Sequence, residues 1–129
     1  MKSLELTLEK LLSALECENK ELSILFTDNE EIKSLNSAYR NKDKPTDVLS
    51  FPVDDELFEE SLGDIAISLE QAESQAPDFG NDTKHEILRL LIHGALHLVG
   101  YEHEDVSQEE VQRMQSKEDE LFDLLAAGF

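Results

Sequence analysis

The chain has 129 residues, a length that predicts one domain over residues 1–129 with a core of its own. Hydrophobic residues make up 40% of the chain, and three prolines and five glycines are too few for a disordered or fibrous protein. Thirty acidic residues against eleven basic ones give a formal net charge of -19, which favours solubility and repels nucleic acid. No apolar run approaches the roughly 20 residues needed to span a bilayer, so we expect no membrane association.

The N-terminal segment and the cysteine content predict a cytoplasmic protein. The leucines among the first 20 residues are interrupted by charged residues, including Glu5, Glu9 and Lys10, which is not the pattern of a signal peptide. A single cysteine, Cys17, has no partner for an internal disulfide. These features indicate a reducing compartment, and we expect the cytoplasm.

The first half of the chain begins with a helix pattern, a strand pattern and a second helix pattern. Leucines at helical spacing over residues 4–15 predict an amphipathic helix, and the apolar run at 22–26 predicts a short strand. Asp28 or Asn29 can cap the next helix. The buried face of that helix is predicted to be formed by Ile32, Leu35 and Tyr39.

Two more strands are predicted before the middle of the chain. Residues 48–53 read as a strand that lies at a sheet edge or ends at Pro52, because proline has no N–H to donate. Residues 64–69 alternate between apolar and other side chains, which predicts a strand with one half-buried face. That face would be formed by Ile65, Ile67 and Leu69.

Three residue pairs have the spacing of a capping box, in which Ser or Thr caps a helix and Glu or Gln follows three residues later. They are Ser68 with Gln71, Thr83 with Glu86, and Ser107 with Glu110. The first pair predicts a helix that Pro77 stops. The second and third pairs predict the starts of the last two helices.

The later helices complete an α+β fold. From Ile87 to Val99 the apolar residues cover nearly every side, so we expect this helix to be central and buried. Gly100 suits the left-handed residue that ends a helix. The last helix has one apolar face, formed by Val111, Met114, Leu121, Phe122 and Leu125. The elements together predict a small mixed β-sheet with helices packed on it.

Three histidines lie along and just beyond the predicted central helix. His93 and His97 are four residues apart, so their side chains project from one face about 5–6 Å apart at Cβ. His103 follows Gly100 and arrives from a different direction. Three imidazoles leave a fourth tetrahedral position open for water, which is typical of catalytic zinc, and imidazole suits zinc better than magnesium or calcium. We therefore predict one zinc ion held by His93, His97 and His103.

The residue that follows the first histidine distinguishes this site from that of a zinc protease. The spacing is that of the extended zinc-protease motif, which places a glutamate directly after the first histidine as general base. Gly94 occupies that position, so the predicted metal cage lacks the protease's proton acceptor. The fourth histidine, His85, falls in the first turn of its helix, and we interpret it as a surface residue.

A group of cations is a local exception in this acidic chain. Arg40, Lys42 and Lys44 lie within five residues, before a turn at Pro45 and Thr46 that leads into a strand. Composition alone favours a solvated basic loop. An arginine fork, however, suits bidentate recognition of a phosphate, so these three residues are candidates for substrate binding.

Two long motifs together resemble the YbeY family of bacterial metal-dependent endoribonucleases, also called rRNA maturation factors. They are RNKDKPTDVLSFP at residues 40–52 and HGALHLVGYEH at residues 93–103. The LGDIAIS stretch, Leu62 to Ser68, and the spacing between the blocks are also similar, and the resemblance covers roughly residues 22–125.

The resemblance implies an α+β fold with zinc held by His93, His97 and His103, and it matches Arg40 to the family's functionally important arginine. It further implies cleavage of single-stranded RNA, with roles in 16S rRNA 3′-end maturation and in ribosome quality control. The expected partners are therefore rRNA and the small ribosomal subunit or its assembly factors.

This chain departs from the family pattern at two points. Glu102 stands where the family usually has Asp, which is a small chemical change. Many members begin with an extra strand before the first helix, whereas this chain starts almost at the helix. We therefore expect a sheet that is one strand smaller and has an exposed edge.

Three hypotheses of function follow from these residues. In the leading one, a zinc-dependent endoribonuclease, Arg40 and His93 are catalytic, and the general base is open among Asp47, Glu102 and Asp105. The second is a zinc peptidase or other hydrolase, against which Gly94 argues. The third is a non-catalytic ribosome-assembly protein with structural zinc, which would need a fourth protein ligand.

Overall fold

In the computed structural model of the protein, residues 2–42, 46–52, 61–101 and 107–126 are described. Their elements, in chain order, are α1 (Lys2–Ala14), β1 (Glu21–Thr27), α2 (Asn29–Arg40), β2 (Val48–Pro52), β3 (Ser61–Ser68), α3 (Leu69–Gln75), a 3₁₀ turn (Ala76–Phe79), α4 (Thr83–Leu98) and α5 (Gln108–Ala126). The three strands form a mixed sheet in the order β1-β3-β2, in which β3 pairs parallel with β1 and antiparallel with β2. The predicted α+β class is thus confirmed for the described part of the chain.

The central strand β3 is covered on both of its faces. Ile65 and Ile67 pack into the main core with α4, while Ala66 packs on the other side with Ile32 of α2 and Leu49 of β2. The prediction of one half-buried face was therefore incomplete, because alternation along the sequence cannot report that a second layer of helix covers the opposite face.

Helix α4 lies at the centre of the molecule, as its sequence predicts. Six of its apolar residues are fully buried or nearly so, namely Leu88, Leu90, Leu91, Ile92, Ala95 and Leu96. It packs against β2, β3, α3 and α5. The helix is followed by Gly100, whose φ of +105° is unfavourable for residues with a side chain and allows the chain to turn away.

The predicted helix starts are confirmed at two capping boxes and wrong at the third. Ser68 accepts a hydrogen bond from the backbone N–H of Gln71, and Ser107 accepts one from the N–H of Glu110. At α4, Asp82 is the N-cap instead of Thr83, and its carboxylate accepts from the N–H of His85. A carboxylate at the preceding position displaces the threonine because it accepts more strongly near the positive end of the helix.

Two predicted core positions are exposed. Tyr39 lies in the last turn of α2 with 70% of its surface accessible, and it packs edge-on against Phe51 at a ring-centroid distance of 5.3 Å. Leu69, predicted as the end of a strand, is the first residue of α3 and is 41% exposed. Both residues are the last members of their predicted apolar faces, and each lies beyond the part of that face that is buried. Val53, predicted as the end of its strand, lies outside the described residues.

Helices α2 and α4 end at the same end of the sheet, on opposite faces. The start of α2 is tied to the carboxyl end of β3, where Ser68 Oγ donates to Asn29 Oδ1 at 2.6 Å, and its last turn reaches Phe51. The last turn of α4 lies against Gly63, at the other end of β3, through Leu98. Among the described residues, no helix is both long and apolar enough to cross a membrane.

Candidate metal centre

One face of α4 carries two histidines that meet at their ring nitrogens. His93 and His97 are four residues apart, and their Nε2 atoms lie 3.0 Å from each other. The ring centroids are 4.6 Å apart and the ring planes are almost perpendicular, at 81°. Both rings are partly buried. The two side chains thus converge on one point, as the helical spacing predicts.

The outer nitrogens of both rings face atoms that can only accept hydrogen bonds. His93 Nδ1 contacts the carboxylate oxygen Oε1 of Glu118, on α5. His97 Nδ1 lies 2.9 Å from the carbonyl oxygen of Tyr101, just after the end of α4. A carbonyl and a carboxylate offer no proton, so each ring donates its Nδ1–H. A ring that is neutral in this arrangement presents its Nε2 lone pair on the inner side.

This arrangement fits a bound cation. Two Nε2 atoms at 3.0 Å need a positive centre between their lone pairs, which either a shared proton or a bound cation supplies. Zinc–nitrogen bonds of about 2.0–2.1 Å in tetrahedral geometry separate two ligand nitrogens by roughly 3.3 Å, close to the separation seen here. A carboxylate and a carbonyl on the outer nitrogens are also the usual partners of metal-binding histidines. The residues present therefore fit zinc.

The third predicted ligand, His103, lies outside the described residues, as do Glu102 and Asp105. Within the described ranges, no group of three or more His, Cys, Asp or Glu side chains is placed to hold a metal. The structure thus brings together two of the three predicted ligands. The full three-histidine set stays a prediction from the sequence.

Gly94 packs against the sheet, where a side chain would be tightly crowded. A Cβ atom on Gly94 would lie 3.1 Å from two carbon atoms of Ile65 and 3.1 Å from Ser50 Oγ. Ser50 Oγ also donates a hydrogen bond to the Gly94 carbonyl oxygen at 3.0 Å. The position that holds the general base in the zinc-protease motif therefore faces the sheet in a crowded contact with β2 and β3.

The basic residues lie on the other side of the sheet from α4. Arg40 is the last residue of α2 and is exposed, and Lys42 follows the left-handed cap residue Asn41. Lys44 lies outside the described residues. The edge strand β2 separates the two regions, because Ser50 faces α4 while its neighbour Phe51 packs on the α2 side. The end of α2 and the last turn of α4 thus flank the same end of β2.

Comparison with known proteins identifies the family. The profile of the Endoribonuclease YbeY family matches residues 1–126. The chain belongs to the Endoribonuclease YbeY family. This result confirms the family that the two long motifs indicate, and with it the enzyme class, a hydrolase of phosphodiester bonds in RNA.

Individual YbeY relatives agree over most of the chain. Endoribonuclease YbeY of Sulfurihydrogenibium sp. (strain YO3AOP1) is 49% identical over 119 residues, which cover 91% of this chain and 78% of that protein. The protein of the same name from Persephonella marina is 48% identical over 124 residues, covering 94% and 80%. The solution structure of TM1509 from Thermotoga maritima has a TM-score of 0.63 and 29% identity, and the match covers 98% of this chain and 83% of that one.

Glu118 is the residue of this YbeY site that motif reasoning missed. The sequence motif ends at His103, whereas Glu118 belongs to the next helix. A signal was present nonetheless, because Glu118 lies between Met114 and Leu121 on the apolar face of α5, where an acidic residue requires a partner.

A second buried carboxylate, Glu86, holds the start of α4 in place. Its side chain is inaccessible to solvent and accepts hydrogen bonds from Arg89 at 2.6 and 2.9 Å, from Gln75 at 2.6 Å and from Asn81 at 3.0 Å. Burial raises the pKa of Glu86, but the hydrogen bonds from Arg89, Gln75 and Asn81 outweigh it, and the pKa lies below its ordinary value.

Asp47, a candidate general base, belongs to this same network. Gln75 Nε2 bridges Asp47 Oδ2 at 3.1 Å and Glu86, while Asp47 Oδ1 accepts from the N–H of Val48 at 2.8 Å. Glu86 precedes His93 by seven residues, or about 10 Å along the helix. The described contacts therefore give Asp47 a structural role at the start of α4.

His85 is not the surface residue that its position predicts. Its side chain is 33% exposed, and Nδ1 lies 2.8 Å from Asp82 Oδ1. Its other ring nitrogen lies 3.3 Å from the carbonyl oxygen of Ala126, and the ring packs edge-on against Phe122 of α5. The prediction was wrong because α5 docks over this first turn, which sequence position alone does not reveal.

Proposed function

We propose that this protein is a zinc-dependent endoribonuclease specific for single-stranded RNA, which acts as one domain in 16S rRNA 3′-end maturation and ribosome quality control in the cytoplasm. Membership in the YbeY family supports the nuclease activity. The observation that supports the metal dependence is the convergence of His93 Nε2 and His97 Nε2, while the Nδ1 atom of each ring faces a hydrogen-bond acceptor.

In this proposal His93, His97 and His103 hold one zinc ion. When bound, zinc supplies a Lewis acid that polarises a phosphoryl oxygen and lowers the pKa of water. Arg40 binds the scissile phosphate and stabilises the charge that develops in the transition state. Lys42 and Lys44 bind neighbouring phosphates as point charges.

The RNA strand is proposed to cross the edge of β2 that lies away from β3, where no other described strand pairs with it. Arg40 ends the helix on one face of the sheet, and His97 lies near the end of the helix on the other face. A single strand that crosses the edge near Phe51 and Pro52 can contact both regions. A duplex is too stiff to follow so short a turn, since its persistence length is about 150 base pairs in DNA. This route accounts for the preference for single strands.

The acidic surface sets a condition on binding. With a formal net charge of -19, the chain repels RNA except where zinc and the Arg40 segment create a positive field. We expect weak affinity for free RNA, steep weakening with salt, and a contribution from the small ribosomal subunit or its assembly factors to substrate delivery.

A peptidase is the competing hydrolase for such a zinc site. Peptide hydrolysis needs a base that activates water and protonates the leaving amine. Gly94 supplies no carboxylate at the expected position, and a side chain there would be crowded against Ile65 and Ser50. A phosphodiester has a better leaving group, and RNA carries its own 2′-OH nucleophile, so the lack of this carboxylate costs the nuclease less.

The decisive experiment compares two substrates and two proteins. Wild type and His97→Ala are incubated with labelled single-stranded RNA and, in parallel, with casein. We expect wild type to cut the RNA and leave casein intact, and His97→Ala to cut neither. His85→Ala, which changes a histidine of the same helix outside the pair, serves as the matched control and should retain RNA cleavage.

Two results would contradict the proposal. Casein cleavage that disappears in His97→Ala, with RNA left intact, would assign the site to peptide hydrolysis. RNA cleavage of equal rate in wild type and His97→Ala would place the activity outside this site.

A further inference from the structure

The apolar face of α5 contains one carboxylate. Met114, Leu121 and Leu125 are buried on this face, and Glu118 lies between the first two, four residues after Met114 and three before Leu121. The Glu118 side chain is 17% exposed. An ionised carboxylate in a helix–helix interface is costly unless it is hydrogen-bonded or paired with a charge, so the position requires a function or a partner.

The partner of Glu118 is His93. Glu118 Oε1 accepts the hydrogen bond from His93 Nδ1, across the interface between α4 and α5. Arg89, one turn before His93 on α4, contributes a positive charge nearby, since the charge of Glu118 is among the causes that raise the pKa of Arg89 against the lowering effect of burial. Arg89, Glu118 and Asp119 line one cleft of about 260 Å³ beside the histidines.

The two histidines are oriented by different parts of the chain. His97 Nδ1 donates to the carbonyl oxygen of Tyr101, four residues later, so its orientation follows from the local backbone. His93 Nδ1 donates to a side chain 25 residues away on another helix. The orientation of His93 therefore depends on one replaceable side chain, whereas that of His97 does not.

We propose that Glu118 is a positioning residue of the zinc site, which holds His93 in the tautomer and ring orientation that direct Nε2 toward His97 Nε2, where the two atoms can bind the metal together. This inference rests on the zinc site of the proposed function. Without the carboxylate, the His93 ring can rotate or carry its proton on Nε2, where it cannot bind zinc. The carboxylate also makes the imidazole a stronger donor to the metal. Docking of α5 onto α4 thereby becomes part of zinc binding.

The test measures zinc affinity and requires no RNA. Metal-free wild type, Glu118→Gln and Asp119→Asn are titrated with zinc against a chelator of known affinity. Asp119 is the matched control, because it is the next residue in the same cleft and its substitution removes the same charge without touching His93. We expect zinc to bind Glu118→Gln about 10–100-fold more weakly than wild type, and Asp119→Asn within about twofold of wild type.

A second readout isolates orientation from packing. ¹⁵N NMR of the metal-free proteins reports which nitrogen of His93 carries the proton. We expect Nδ1–H in wild type and in Asp119→Asn, and a mixture or the Nε2–H form in Glu118→Met. Methionine has a similar length and packs well in apolar interfaces, so this variant keeps the helices docked while it removes the acceptor.

The outcomes distinguish this inference from the proposed function. Equal zinc affinity in wild type and Glu118→Gln, or equal losses in Glu118→Gln and Asp119→Asn, would overturn the role of Glu118 while the zinc site stands. Nδ1–H on His93 in all variants would also overturn it. Failure of wild type itself to bind zinc would instead overturn the metal site on which both proposals depend.

Discussion

Gly94 and Ser50 join the metal-site helix to the edge strand through a hydrogen bond of 3.0 Å from Ser50 Oγ to the Gly94 carbonyl oxygen. The bond holds the backbone of α4 close to β2, between the two histidines. Because of this proximity, a side chain at position 94 would be tightly packed, with approaches of 3.1 Å to Ile65 and Ser50.

We predict that Gly94→Ala destabilises the protein. Alanine gains about 1 kcal/mol over glycine in a helix interior. Overpacking against Ile65, which is fully buried and cannot move aside, costs about 1–3 kcal/mol. The expected net loss in unfolding free energy is about 1 kcal/mol, measured by urea denaturation of the metal-free protein.

An exposed site on another helix provides the control for this change. Ser116→Ala on α5 also introduces alanine, the residue with the most favourable helix propensity, but at an exposed position without the close contact. This variant should be slightly more stable than wild type. A Gly94→Ala protein more stable than wild type would show that the helix and sheet have room at this point.

Glu86 should make stability depend on pH in the acidic range. Burial by itself raises the pKa of Glu86. The hydrogen bonds from Arg89, Gln75 and Asn81 lower it by a larger amount, so the folded-state pKa lies below the ordinary value of 4.5. The ionised carboxylate therefore stabilises the folded state fully above pH 4.5, and this contribution is lost as the pH falls through the lower folded-state pKa.

We predict that Glu86→Gln loses on the order of 1–3 kcal/mol at neutral pH, because it leaves buried donors without a charged acceptor. The difference from wild type should be constant above about pH 5 and should shrink below it. Urea denaturation at a series of pH values measures this. Glu109→Gln, at an exposed position on α5, should change stability by less than about 0.5 kcal/mol. A difference that grows as the pH falls would contradict the stated role of Glu86.

Local signals in the sequence predict most of this fold. The helix caps at Asp28 and Ser68, the buried α4 and the pairing of His93 with His97 all follow from contacts within a few residues. The class of fold and the family follow from the same short motifs. Local signals succeed here because the geometry of one helix fixes which side chains meet.

Contacts between distant segments were not predictable in the same way. The contact of Glu118 with His93, the docking of α5 over His85 and the burial of Glu86 all depend on how helices pack. His85 and Glu86 lie in the first turn of a helix, where the pattern alone permits a solvated side chain, whereas Glu118 interrupts an apolar face without revealing which residue it contacts. The strand order could not be predicted either, because the pairing of β3 with both β1 and β2 depends on tertiary contacts.

The purified protein should contain close to one zinc ion per chain by elemental analysis. His97→Ala should lose the metal, because one of the two convergent Nε2 atoms is removed. His85→Ala should keep it, since both ring nitrogens of His85 already face Asp82 and Ala126. Full retention of zinc in His97→Ala would mean that the metal binds elsewhere.

Arg40→Ala should separate binding of the substrate from binding of the metal. Arg40 is exposed at the end of α2, on the opposite face of the sheet from the histidines, so its removal should leave the fold and the zinc content unchanged. If Arg40 stabilises charge on the phosphate, cleavage of single-stranded RNA should fall by about 10²–10³. The dependence of RNA affinity on salt should also weaken by about one phosphate contact.

The control for Arg40 is Lys33→Ala, which removes an exposed cation from the same helix about two turns earlier. It changes the net charge equally, and we expect cleavage within about twofold of wild type, because general attraction for RNA is screened over such distances. Equal losses in the two variants would reduce the role of Arg40 to general electrostatics. Unchanged cleavage in Arg40→Ala would show that Arg40 is not part of the site. Loss of folding or of zinc would instead assign Arg40 a structural role, because contact with the substrate phosphate contributes to neither folding nor zinc binding.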